Sequence, residues 1–101
     1  MTRIAALLGS VTPPGRLSSA VSGALMRAEL TGQSTTLYDL GAMKVGYADG
    51  TPIEKLADDS GTLVDGIGGA NAVILATPVY RGTLTGALKN ALDLLPIEAL
   101  Q

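Results

Sequence analysis

At 101 residues the chain is long enough for one small domain, which buries a limited share of its surface. Its composition, 47% hydrophobic and 16% charged, is that of an apolar globular chain and excludes disorder. The net charge is −2, and the seven cations (Arg3, Arg16, Arg27, Lys44, Lys55, Arg81 and Lys89) are scattered, so no basic stripe forms for a nucleic-acid backbone.

The chain has no Cys and no His. Disulfides, thiolate or imidazole metal ligands and a Ser-His-Asp triad are therefore excluded, and no metal site is expected. Redox chemistry, if there is any, must be carried by a bound cofactor. With three Tyr and no Phe or Trp, the core has to be aliphatic. The five apolar residues that follow Arg3 are too few for a signal peptide. No segment reaches the ~20 apolar residues of a membrane span, so no membrane partner is expected and the cytoplasm is the expected compartment.

Ile4 to Leu8 is a continuous apolar run closed by Gly9-Ser10, the pattern of a strand buried on both faces of a parallel sheet. Residues 11–15, with two prolines and a glycine, break it as a loop. From Leu17 to Leu30 the period becomes helical, with Leu17, Val21, Ala24, Leu25 and Ala28 on one stripe. Ser18 and Ser19 are placed to cap that helix, and Gly32 to end it. Thr35 to Leu40 reads as a second strand, residues 41–52 as a long surface loop, and residues 53–69 as a glycine-weakened helix carrying Leu56, Leu63, Val64 and Ile67. Asp58-Asp59 falls on that helix as a solvated acidic pair. Ala72 to Ala76 is the clearest strand. Residues 85–95 form the last helix, with Leu84, Leu88, Leu92 and Leu95 on one face, a Lys89–Asp93 pair at i,i+4, and Pro96 as the stop.

Strand and helix alternate without an internal repeat or linker, which implies right-handed crossovers and a parallel sheet. Val73-Ile74-Leu75 has the character of a central strand with neighbours on both sides. The chain reaches Gln101 before supplying another strand, so either it is a fragment or a partner covers that edge; the favoured organisation is one α/β domain over 1–101, cut before a fourth strand.

Two loops could carry chemistry. Residues 9–19 (GSVTPPGRLSS) join a strand to a helix, where backbone N–H groups, Ser10, Ser18 and Arg16 could receive an anion; an ordinary turn with capping serines explains the same residues. The run is neither a Walker loop nor G-x-G-x-x-G, and Gly66-Ile67-Gly68-Gly69 precedes a strand where a dinucleotide loop follows one. Residues 77–86 (TPVYRGTLTG) lie at the carboxyl end of the third strand, where open α/β sheets bind ligands. A plain loop with an exposed Tyr80 explains these too. With strand order 2-1-3 both loops meet over one crevice, suited to a ligand with a phosphate at one end and a planar ring at the other. A phosphoacceptor receiver domain is excluded, because Gly9-Ser10 and Thr77-Pro78 stand where it needs acidic groups.

Gly9-Ser10 with Arg16 and Ser18, then ATPVYRGTLTGALKNALDLLP at 76–96, resembles the NAD(P)H-dependent FMN reductase family over the whole chain. Within it the sequence is similar to the reductases that supply reduced flavin to alkanesulfonate monooxygenases. The resemblance implies a flavodoxin-like fold, a parallel sheet with helices on both faces, whose first three strands are in this chain. It implies FMN as cofactor and NAD(P)H as co-substrate, with no protein acid or base needed at the hydride step. The family's phosphate loop falls on Ser10, Arg16, Leu17 and Ser18, and its flavin-ring loop on Pro78, Val79, Tyr80 and Arg81. It further implies a homodimer or homotetramer built through helices such as 85–95, and a flavin-dependent monooxygenase as a partner taking reduced FMN. The competing reading is an inactive fragment or interaction module that keeps the fold.

Overall fold

In the computed structural model, which describes residues 2–11, 15–96 and 99, strand β1 (Arg3–Leu8) lies between two parallel neighbours. These are β2 (Ser34–Asp39) and β3 (Ala72–Ala76), giving the expected order β2-β1-β3. Ala5 stands opposite Thr36 and Val73, and Leu8 opposite Asp39 and Ala76. Asn71 ties the amino ends of β1 and β3 together: its N–H donates to the Arg3 carbonyl at 2.7 Å, and its Oδ1 accepts from the Arg3 N–H at 2.8 Å.

Side chains alternate across a strand, so β1 feeds two cores. Ala6 and Leu8 pack with Val21 and Leu25 of α1 (Arg16–Leu30) on one face. Ala5 and Leu7 pack on the other with Leu63 and Ile67 of α2 (Ser60–Gly68) and Leu88 and Ala91 of α3 (Gly86–Leu94). Helices therefore cover both faces, and every β1 position from Ala5 to Leu8 must be apolar. Gly66 lets α2 settle on the sheet, because a Cβ there would overlap the Tyr38 hydroxyl.

The first helix differs from expectation at Ala24 and at its start, and ends at Gly32 as expected. Val21 and Leu25 are buried, Leu17 and Ala28 half-buried, and Ala24 exposed. Its N-cap is Gly15, with no side-chain cap, so Ser18 and Ser19 lie inside the helix and do not cap it. At the other end Gly32 N–H bonds the Glu29 carbonyl and Gln33 N–H the Ala28 carbonyl, a Schellman closure.

The helix expected over 53–69 is two pieces. Ile53–Lys55 is one 3-10 turn after Pro52, and Leu56 is already extended. Asp58 and Asp59 lie between that turn and α2, and their carboxylates compete for the backbone. Asp58 Oδ1 accepts from the Ser60 N–H at 2.8 Å, and Asp59 Oδ2 from the Lys44 N–H at 2.8 Å. The pair is exposed as expected, but it pins the 41–59 loop to the start of α2. The last helix is capped by Thr85 and ends at Leu95, which Pro96 forces into an extended conformation. Its Lys89–Asp93 pair forms at 2.7 Å on the surface.

Within this chain β3 is an edge strand rather than a central one, and Ile74 and Leu75 are 37% and 47% exposed. No helix among the described residues is long and apolar enough to cross a membrane.

Leu7 is fully buried, and Leu7→Ala is expected to lower the unfolding free energy by about 2–5 kcal/mol in urea titrations. Hydrogen bonds from Ser60, hydroxyl first and backbone N–H second, hold the Asp58 carboxyl below its ordinary value of 3.8. A depressed carboxyl contributes stability above its unfolded value and loses it as pH falls through the folded value. Asp58→Ala is therefore expected to lower the urea midpoint at neutral pH and to flatten its decline below pH 3.8; a parallel pH series on both proteins measures this.

Candidate functional site

All three strands deliver their loops to one edge of the sheet, since they run parallel. The loop after β1 begins at Gly9 and the loop after β3 at Thr77. Gly9 N–H donates to the Ala76 carbonyl at 2.7 Å, carrying the pairing one residue past the strands. A Cβ on Gly9 would come within 3.0 Å of Leu88 Cβ, 3.1 Å of Thr85 Oγ1 and 3.2 Å of the Ala76 carbonyl oxygen, so only glycine fits this approach without displacement. The Thr85 hydroxyl donates to the Gly9 carbonyl at 2.7 Å and accepts from the Leu88 N–H at 3.1 Å. The bases of the two loops are therefore bonded together.

In the first loop Ser10 is half-buried, and Thr12, Pro13 and Pro14 lie outside the described residues. Arg16, Leu17 and Ser18 are the first three residues of α1, with Arg16 exposed and the other two half-buried. The first helical bond runs from the Ser19 N–H to the Gly15 carbonyl at 3.0 Å. The N–H groups of Arg16, Leu17 and Ser18 bond no acceptor among the described residues. A helix start in that condition presents donors and the positive end of the dipole to an anion. The loop after β2 closes in beside it: a Cβ on Gly41 would lie 3.0 Å from the Ser10 carbonyl oxygen, and Gly41 N–H bonds Asp39 Oδ1 at 2.9 Å.

The second loop is a miniature hairpin. Tyr80 N–H bonds the Thr83 carbonyl at 3.0 Å and Thr83 N–H the Tyr80 carbonyl at 3.1 Å. Arg81 and Gly82 both have positive φ, 54° and 77°, which makes this a type I′ turn. The turn holds Val79 at 72% and Tyr80 at 46% exposure, with Pro78 half-buried beneath them. The loop thus offers a flat, partly apolar surface beside a cation, Arg81. One hollow of about 420 Å³, lined by Leu40, Met43, Tyr47, Gly86, Ala87 and Asn90, adjoins the end of the second loop, and another of about 160 Å³ is lined by Arg3, Ser34, Tyr38 and Asp65 near the amino ends of β1 and β2.

Residues 2–101 match the NADPH-dependent FMN reductase family. The chain belongs to that family. It is 34% identical over 99 residues to the FMN reductase (NADPH) of Escherichia coli strain K12, covering 98% of this chain and 51% of that protein. It is 32% identical over 65 residues to the NAD(P)H-dependent FAD/FMN reductase of Geobacillus thermodenitrificans strain NG80-2, covering 64% of this chain and 35% of that protein. The apo crystal structure of an NADH:FMN oxidoreductase superposes with a TM-score of 0.83 at 24% identity, over 99% of this chain and 53% of that one. That likeness bears on the fold, which is flavodoxin-like. The chain spans about half the length of the E. coli relative.

Thr77 and Thr85 are the members of this reductase-family edge that sequence reasoning passed over. The signal for Thr85 was present: a threonine directly before a helical apolar stripe is an N-cap candidate. Its second bond, to a residue 76 positions away, had no local signal. Arg81 occupies a left-handed position that costs a non-glycine residue about 1 kcal/mol. Arg81→Asn is expected to raise the unfolding free energy by about 0.5 kcal/mol, and Arg81→Val to lower it by about 1 kcal/mol, both read from thermal and urea unfolding.

Proposed function

We propose that this chain carries FMN-binding residues of an NAD(P)H-dependent oxidoreductase that reduces FMN. The observation that carries the reading is the start of α1, whose first three N–H groups bond no acceptor among the described residues and stand at the sheet edge that also bears the Tyr80 hairpin. The donor set fits a phosphate: Ser10 and Ser18 supply hydroxyls, Arg16 a guanidinium, and Arg16, Leu17 and Ser18 their backbone N–H groups. Pro78, Val79, Tyr80 and Arg81 fit the ring end. FMN, when bound, accepts hydride from a reduced nicotinamide and passes electrons onward. The chain's own residues would bind and orient the group: the helix start would hold its phosphate, Val79 and Tyr80 would offer apolar surface to its ring, and Arg81 would add positive charge nearby. No side chain is assigned as acid or base.

Residues 1–101 are read as the N-terminal part of one flavodoxin-like, FMN-binding domain. The exposure of Ile74 and Leu75 on β3 and the partial coverage of the relatives support this. The onward acceptor is read as a second flavin, a quinone or an azo compound, with a flavin-dependent monooxygenase as a partner that takes reduced FMN. The assembly is read as a homodimer or homotetramer through α3, and the setting as the cytoplasm, where reduced nicotinamides are kept.

Flavin-fluorescence titration tests the reading. The protein is expected to quench FMN on binding. Arg16→Ala is expected to weaken FMN by about tenfold, the worth of a charge-assisted bond, while riboflavin, which lacks the phosphate, is weakened far less. A protein that stays colourless and leaves FMN fluorescence unchanged would overturn the reading in favour of an interaction module that keeps only the fold.

A further inference from the structure

Thr85 makes more bonds than a helix cap requires. It is 3% exposed, and its Oγ1 accepts from the Leu88 N–H at 3.1 Å, which is the whole task of an N-cap. The same hydroxyl donates to the Gly9 carbonyl at 2.7 Å. Its backbone N–H donates to Thr77 Oγ1 at 3.1 Å, and the Thr77 hydroxyl donates to the Pro78 carbonyl at 2.7 Å. An aspartate would cap the helix equally well, but an ionised carboxylate cannot donate to Gly9. The second bond calls for a hydroxyl.

We propose that Thr85 is a positioning residue that sets the span between the two loops. A continuous run of bonds, Pro78 to Thr77 to Thr85 to Gly9, joins the root of the Tyr80 hairpin to the root of the loop that leads into α1. Gly9 is crowded on three sides, so that root has no slack. This rests on the reading that FMN places its phosphate at the start of α1 and its ring at the hairpin. A ligand held at both ends gains from its second contact only when the span between the two subsites matches its own length. Thr85 therefore governs how well the two ends cooperate, while touching neither.

The experiment compares FMN, lumiflavin (the ring alone) and inorganic phosphate as ligands of the parent protein, Thr85→Ser and Thr85→Val, by fluorescence titration and calorimetry. Thr85→Val keeps the shape and removes both hydroxyl bonds. It is expected to weaken FMN by about tenfold, with lumiflavin and phosphate each changed by less than about twofold. Thr85→Ser, which keeps the hydroxyl, is expected to stay within about twofold of the parent for all three. Equal loss of FMN and lumiflavin in Thr85→Val, or no loss of FMN, would overturn the positioning role and leave Thr85 as a cap alone. If Thr85→Val does not fold, Thr77→Val, which breaks the next bond in the run, must show the same selective loss of FMN, and its failure to do so is equally fatal. A parent protein that binds no FMN overturns the cofactor reading, whereas a parent that binds it beside an unaffected Thr85→Val overturns only the role of Thr85.

Discussion

The sheet hangs on β1, because it is the strand with both edges paired and both faces covered. Six residues have to satisfy β2 on one side, β3 on the other, α1 above, and α2 with α3 below. Two consequences follow. The strand has no room for a polar side chain between Ala5 and Leu8, and its small residues let the helices approach closely. Ala5 and Ala6 stand beside Leu7 and Leu8 on the two faces, so each core combines one leucine of β1 with bulk from the helices: Leu63, Ile67 and Leu88 on one face, Val21 and Leu25 on the other.

The same strand fixes where chemistry can occur. Its carboxyl end is the place where the chain turns to one side first, through α1 to β2, and to the other side later, through α2 to β3. In open α/β sheets that division is where ligands bind. Two local devices shape it. One is a helix start with Gly15 as its cap, whose first three N–H groups have no acceptor among the described residues. The other is a two-residue turn with both central residues left-handed, which aims Val79 and Tyr80 outward. Arg81 bears the cost of that backbone although asparagine or glycine would fit it better.

Much of the architecture was legible in the residues, and the failures lie at the starts of two helices. Ile4 to Leu8 and Ala72 to Ala76 announced themselves through uninterrupted apolar runs, and α1 and α3 through their period. The helix over 53–69 was misread because Leu56 fits the stripe of α2 by spacing, while Asp58 and Asp59 use their carboxylates to bond Ser60 and Lys44 and thereby delay the helix to Ser60. The capping serines were misread because Gly15, which has no side chain to announce a cap, ends the loop. In the first case short-range polar bonding overrode periodicity, and in the second the cap carries no side chain to read. The loops at the sheet edge were legible as loops, from their prolines and glycines. What no pattern held was the Thr85–Gly9 bond, since it depends on β1 and β3 being adjacent, a fact of topology and not of local sequence.

That adjacency also orders events in time. The bonds that close the edge join Thr85 to Gly9, and those that close the opposite end join Asn71 to Arg3, 76 and 68 positions apart. Contacts of such separation form late, after the entropy of closing a long loop has been met. While the chain is being made, β1 therefore waits on the order of seconds for its second neighbour to be synthesised. Through that interval the apolar run Ile4 to Leu8 has at most β2 and α1 to cover it. The most demanding of the three described strands emerges before both of its neighbours and is among the last to be enclosed, so the yield of folded molecules depends on how well that run is kept from other chains meanwhile.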